Sequence, residues 1–209
     1  MHISEGVLSA PVLAGGAVPA LLALGWSLKR LPWAHIMSTG ILSAAFFTAS
    51  LIHIPIGPGS VHLILNGLLG AVLGTAAFPA IAAALLLQAL LFNFGGLSTL
   101  GVNLCVMAGP AVLCGMLCRP FFRAGCWVWA AAAFACGAGA VLLSALLCAL
   151  ALALSGDAFR SAARIIFLAH IPIMLIEGVL SMGIIGYLRK TMPELLTVAR
   201  PEGGRADRF

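Results

Sequence analysis

The chain has 209 residues, of which 62% are hydrophobic and 8% charged. Soluble domains carry roughly 25% charged residues, and a mean hydropathy of +1.14 places this chain in a lipid bilayer rather than in water. The net charge of +5 is no nucleic-acid signal, because the basic residues fall in small groups between apolar runs and form no face with interleaved aromatics.

At membrane depth every backbone polar group must be satisfied within the chain, which leaves helices or a closed barrel. The unbroken Leu- and Ala-rich runs lack the alternation of a barrel. The predicted fold is all-α, a polytopic membrane protein of about seven transmembrane helices. A first span runs from about Val7 to Leu28 and stops at Lys29-Arg30. A second covers about Ile36 to Ile54, before Pro55. The stretch from Val61 to Phe94 would be roughly 50 Å long as one helix, too long for a single crossing at about 1.5 Å per residue. Phe78-Pro79 lies at its middle, and proline is well placed to open a helix. Two short helices are therefore predicted, Val61–Ala76 and Pro79–Phe92, either as two crossings or as a re-entrant hairpin. A fifth span covers about Val102 to Leu117, a sixth Trp127 to Leu154, and a seventh Ile165 to Leu188.

Charge orients this arrangement. With two crossings counted in the stretch from Val61 and the N-terminus outside, Lys29, Arg30, Arg119, Arg123, Arg189, Lys190, Arg200, Arg205 and Arg208 are cytoplasmic. Only Arg160 and Arg164 fall outside. The expected organisation is one transmembrane domain over residues 1–190 and a polar cytoplasmic tail over 191–209. Small residues, among them a GxxxG at Gly70 and Gly74, allow close helix packing. The six cysteines form no CxxC. Cys114 and Cys118, four apart, share a helical face and suit interhelical packing better than a metal.

The first residues, "MHISEGVLS", follow no basic leader or cleavage pattern. Methionine removal is disfavoured before a bulky residue, so Met1 is expected to persist. The topology puts Met1 and His2 on the outer face together with the loop from His53 to Gly67, so that His2, His53 and His62 share a side, with His35 on the other. A terminal amine, the His2 amide nitrogen once deprotonated and the His2 imidazole form two fused chelate rings and hold three corners of a square plane. An imidazole from elsewhere could complete it. Four nitrogens in a tetragonal plane suit Ni(II) or Cu(II), and Co(II) fits the same donors. The plainer reading is an interfacial histidine.

Further polar residues stand out among the apolar runs. Asn66, four after His62 on the predicted helix, and Asn103, at the outer end of the fifth span, could orient an imidazole or serve as packing contacts. Gln88 and Asn93 have weaker claims of the same kind. Glu177 is the carboxylate deep in a predicted span, where a charge costs roughly 2.5–3.5 kcal/mol on insertion scales. It must face the interior, and His170 lies seven residues earlier on roughly the same face. The two are candidates for a conduction or coupling network or for a structural contact. The chain has no GxxxxGK[ST] sequence, so ATP hydrolysis by a P-loop is not expected of it. Nucleophile, base and orienting group do not recur at a catalytic spacing, and no enzyme activity and no organic cofactor are expected.

Four segments, "MHISEGVLSAPVL", "HIPIGPGSVHLILNGLLG", "LLQALLFNFGGLSTLGVN" and "AHIPIMLIEGVLS", together resemble the CbiM/NikM family. These are the substrate-binding membrane components of energy-coupling-factor transporters for cobalt and nickel. The likeness extends from Met1 to about Leu188. It implies Co2+ or Ni2+ as the transported substrate, cobalt slightly favoured, held by the Met1 amine, the amide and imidazole of His2, and His62, which would open the third helix. It also implies seven helices with the N-terminus outside and residence in a prokaryotic inner membrane. The implied partners are a coupling transmembrane protein, an ATPase pair that uses the ATP, and a small accessory membrane subunit. The competing readings are a self-sufficient ion-driven carrier or channel using His170 and Glu177, an intramembrane metal enzyme, and a vitamin-capturing subunit that would leave His2 without a role.

Overall fold

The computed structural model describes residues 2–51, 53–56, 59–125 and 127–196, with side chains described except at 53–56 and 59–61. Seven α-helices occur among these residues: α1 (Ala10–Lys29), α2 (Ile36–Ser50), α3 (Asn66–Leu73), α4 (Ala77–Phe92), α5 (Leu100–Cys118), α6 (Val128–Leu154) and α7 (Arg160–Thr191). A two-stranded antiparallel ribbon, β1 (His53–Ile56) and β2 (Gly59–His62), stands between α2 and α3 with His53 opposite His62. Among the described residues five helical runs are long and apolar enough to cross a membrane: Ala10–Lys29, Asn66–Phe92, Leu100–Phe121, Val128–Leu154 and Asp157–Thr191. Leucines such as Leu21, Leu22, Leu90 and Leu150 stand more than half exposed on these helices, an apolar surface suited to lipid.

The run Asn66–Phe92 does not continue straight. Gly74 adopts φ +58, ψ −126, a backbone conformation open to glycine but strained for residues with a Cβ, and a 3-10 turn over Gly74–Ala76 leads into α4. The surroundings show that the chain reverses here. The start of α3 lies beside the middle of α5, where the Asn66 amide donates to the Met107 carbonyl at 3.1 Å. Its last turn lies by the end of α5, where the Arg119 guanidinium donates to the Val72 carbonyl at 2.9 Å. The Thr75 carbonyl accepts from Ser27, near the C-terminus of α1, at 2.6 Å. α4 then climbs back along α2, with Ser43 donating to the Ala80 carbonyl at 2.7 Å. α3 is eight residues long, about 12 Å at the helical rise.

The GxxxG glycines therefore do different things. Gly70 meets Ala111 and Gly115 of α5 in backbone contact, leaving no room for a Cβ, while Gly74 makes the bend. Proline 79 falls within the first turn of α4, where it removes no intrahelical hydrogen bond. The helix break precedes it by five residues.

Several expected element bounds need correction. The helix expected to run to Ile54 ends at Ser50, and β1 takes over at His53. The helix expected from Val61 begins at Asn66 instead, so His62 belongs to a strand and does not open a helix. The fold is helical, as expected, with the short ribbon as its one β element among the described residues. The seventh helix is longer at both ends than hydropathy alone indicates, because polar residues continue it, Arg160 and Arg164 at its start and Arg189, Lys190 and Thr191 at its end. Part of the expected tail is packed: the 3-10 turn Pro193–Leu196 buries Leu196 against the bundle, and Arg119 donates to the Leu195 carbonyl at 3.4 Å. Residues 197–209 lie outside the described residues, as does Cys126.

Candidate metal centre

At one end of the bundle the chain start is clamped in extended form. Asn103, in the first turn of α5, pairs with both backbone polar groups of Ile3: the Ile3 N–H donates to Oδ1 at 3.0 Å and Nδ2 donates to the Ile3 carbonyl at 3.2 Å. The same Nδ2 reaches Thr99 Oγ at 3.2 Å. Two residues on, the Glu5 N–H donates to the Gly95 carbonyl at 3.1 Å and the Ser98 N–H donates to the Glu5 carboxylate at 3.0 Å. That backbone N–H holds the Glu5 carboxyl below its ordinary range. Gly95 is fitted to its place twice over: it has φ +79, and a Cβ there would lie 2.9 Å from Asn103 Nδ2.

The clamp delivers His2, 3% exposed, to the end of α4. Its Nε2 lies 2.6 Å from Gln88 Oε1. Gln88 cannot present its amide the other way without losing a second bond, because its Nε2 donates to Ser50 Oγ, and Ser50 in turn donates to the Phe47 carbonyl at 2.7 Å. Oε1 is an acceptor, so His2 carries its proton on Nε2 and presents the Nδ1 lone pair. Nδ1 is the ring atom that closes a six-membered chelate with the residue's own amide nitrogen. The α4 terminus supports this arrangement. Asn93 takes the left-handed conformation at φ 52, and the Phe94 N–H returns to the Gln88 carbonyl at 3.2 Å.

The His62 ring stacks on His2, with centroids 4.8 Å apart and planes 27° apart. Its Nδ1 lies 2.7 Å from the Leu63 carbonyl, an acceptor, so Nδ1 bears the proton and Nε2 the lone pair. Two imidazoles bound to adjacent corners of one ion, each through a metal–nitrogen bond of about 2 Å, need this proximity. Phe94 closes one side, its ring centroid 6.3 Å from that of His2.

The expected site residues thus separate into groups. His2, His62 and Asn103 converge, and Gln88 joins them with a direct bond to His2. Met1 lies outside the described residues, as does the side chain of His53, whose backbone pairs with that of His62. Asn66 points away from the histidines: its amide bonds Met107 and, at 2.9 Å, Ser144 Oγ. His35 sits exposed at the opposite end. His170 and Glu177 are both buried. His170 Nδ1 lies 2.7 Å from the Ile166 carbonyl, while Glu177 accepts from the backbone of Ile64 and Leu65. Cys114 and Cys136 are buried among small residues. Among the described residues no three His, Cys, Asp or Glu side chains cluster to hold a metal. Sequence reading had undervalued Gln88; its signal was a single amide at the end of an Ala- and Leu-rich run.

Known proteins agree with this fold. A Haemophilus influenzae protein provisionally described as a metal transport protein is 41% identical, covering 94% of this chain and 97% of its own length. An Archaeoglobus fulgidus protein provisionally described as a fused nickel transport protein NikMN is 30% identical over 94% of this chain and 68% of its own. The crystal structure of a truncated transition metal transporter superposes with a TM-score of 0.71 at 25% identity, over 91% of this chain and 99% of that one. Residues 2–195 match the family described as the cobalt uptake substrate-specific transmembrane region, and the chain, a multi-pass membrane transport protein, belongs to that CbiM family.

Proposed function

We propose that this chain captures Co2+ or Ni2+ at its N-terminus and acts as the substrate-specific membrane component of an ATP-driven energy-coupling-factor transporter. The ligands are the Met1 amine, the His2 amide nitrogen, His2 Nδ1 and His62 Nε2. The observation that supports this reading is the stacked His2–His62 pair, in which Gln88 and the Leu63 carbonyl each engage one ring nitrogen; the reading assigns the other nitrogen of each ring to the ion. Cobalt is slightly favoured as substrate. The seven helices make seven passes of a prokaryotic inner membrane, α3 with its preceding loop making the third, so that the His2 end faces outward and the C-terminal tail inward. Partner subunits supply ATP hydrolysis and coupling, a division in keeping with relatives whose names describe fused transport proteins. Met1, in this reading, is retained.

Acetylating the Met1 amine of untagged protein takes away one donor and should abolish high-affinity binding of both metals. Parent-like affinity after acetylation would remove the amine from the site. Binding should also release protons, because the amine has an ordinary pKa of about 7.7–8.0 and the amide must lose its hydrogen. Titration in weak buffer at pH 7.5 and 5.5 reads this directly: affinity should fall with pH.

A further inference from the structure

The residues that follow His62 leave the ribbon without entering a helix. Ile64 and Leu65 sit between β2 and α3, Ile64 fully buried, and backbone N–H groups there must find acceptors within the protein. Both N–H groups converge on one oxygen of Glu177: Ile64 and Leu65 each donate to Oε1, Leu65 at 2.7 Å. The convergence depends on a turn in the chain, since Leu65 has φ 56, a left-handed conformation unusual for a residue with a side chain. Successive N–H groups around such a residue form a concave anion site. Glu177 lies in the middle of α7, is 0% exposed, and among the described residues its second oxygen has no hydrogen-bond partner. Its carboxylate therefore serves the loop.

The packing gives the loop little freedom to find another acceptor. A Cβ on Gly67, in the first turn of α3, would lie 2.6 Å from the Cys136 carbonyl of α6, and one on Gly137 would lie 2.6 Å from the Glu177 carbonyl of α7. The start of α3, the middle of α6 and the middle of α7 thus meet in near-backbone contact. His62 is two residues before this junction, and its ring bonds Leu63, the residue in between.

We propose that Glu177 is a positioning residue for metal capture: by tying the Ile64 and Leu65 amides to α7, it sets the His62 ring against His2. The proposal rests on the reading of His2 and His62 as metal ligands, yet its anchoring half can be measured without metal.

The test compares full-length untagged Glu177→Gln, Glu177→Ala and Glu177→Leu in detergent. Hydrogen exchange on metal-free protein reports the amides of Ile64 and Leu65, and titration with Ni2+ and Co2+ reports affinity and the d–d absorption bands. Glutamine keeps an acceptor oxygen, so Glu177→Gln should retain protection, parent-like affinity and the parent's bands. Alanine and leucine should expose the two amides while α6 stays protected, weaken both metals about 10–100-fold, the usual cost of losing a group that orients a ligand, and shift the bands. Parental affinity and bands in a folded Glu177→Ala or Glu177→Leu protein would overturn the proposal. If neither folds, Glu177→Gln decides: protected amides with affinity lost would show that the carboxylate's charge acts on the metal, and would also overturn it. A parent that binds neither metal, with amides behaving as expected, would uphold the anchor and defeat the metal reading instead.

Discussion

The two histidines arrive at one place on arms held in different ways. The N-terminal arm is tied to four parts of the molecule: Ile3 to Asn103 on α5, His2 to Gln88 on α4, Glu5 to residues 95–98, and the Ser9 N–H to Ser155 Oγ at the end of α6 at 3.2 Å. The His62 arm is tied mainly to α7 through Glu177 and to its partner strand β1. Both histidines sit on non-helical chain, and in each arm a buried polar side chain on a helix helps to fix it, Asn103 or Gln88 for one and Glu177 for the other. Irregular backbone at membrane depth persists only where protein buries it or where it lines a cavity. The difference between the arms predicts that the His2 arm stays folded through single changes and that the His62 side depends on few contacts.

The largest effect should come from removing a ring. His62→Ala should abolish high-affinity cobalt and nickel binding, whereas His53→Ala, its neighbour across the ribbon, should change affinity far less. Isothermal titration on untagged protein separates the two, and the reverse order would transfer the ligand role to His53. Asn103→Leu comes next. It leaves both backbone polar groups of Ile3 buried without their acceptor and donor, at about 1–3 kcal/mol for an unsatisfied group. The redundancy of the N-terminal arm should keep the protein folded, with metal affinity down about 10–100-fold and exchange of the Ile3 amide accelerated. An Asn103→Leu protein that unfolds with the whole bundle would mean that the clamp supports the fold itself.

Gln88→Leu should be milder. It removes the acceptor that places the His2 proton on Nε2, while Asn103 still holds the backbone. His2 then samples both tautomers, and affinity should fall toward the lower end of that same range. Nitrogen NMR of metal-free protein labelled at histidine would show a single tautomer in the parent and a mixture in the variant. A mixture already present in the parent would mean that Gln88 orients nothing.

How much of this was legible from sequence depends on the kind of interaction. Hydropathy located α1, α5 and α6 to within three residues at each end, because apolar length is what a bilayer demands. It misplaced the start of α3, since Val61 to Leu65 is as apolar in a strand and turn as in a helix. The bonds that distinguish the two run to Glu177, more than a hundred residues away. The reversal in the stretch from Val61 was anticipated, but at Pro79 rather than Gly74: proline signals an N-terminus visibly, whereas a glycine at positive φ looks in sequence like any packing glycine. His2, His62 and Asn103 come together at one end, whereas Asn66 bonds Met107 and Ser144 instead, because the helix that was to carry it beside His62 begins only at Asn66 itself. Single polar residues in apolar runs were the dependable signal, and their partners were the part that only three-dimensional packing supplies.

The smallest expected effect lies at the exposed edge of the N-terminal arm, where Glu5 caps the Ser98 N–H. Its carboxyl titrates below the ordinary value in the folded protein, so the folded form favours the ionised group more than the unfolded form does. The stabilisation is present above the ordinary carboxylate pKa of about 4.3 and is lost as pH falls through the lowered value. Solvent screens this contact, and the other ties of the arm persist, so the bundle should stay folded while the arm loosens. Hydrogen exchange on metal-free protein, stepped from pH 6 to pH 3 with rates corrected for intrinsic chemistry, should show the Ser98 and Glu5 amides losing protection at the acid end. Glu5→Gln keeps an oxygen that can accept from Ser98 but cannot ionise, and its protection should stay flat across the same range at a level somewhat below the parent's neutral value. If parent and variant lose protection together, the acid sensitivity of the arm lies in another group, and Glu5 contributes no more than an ordinary surface carboxylate.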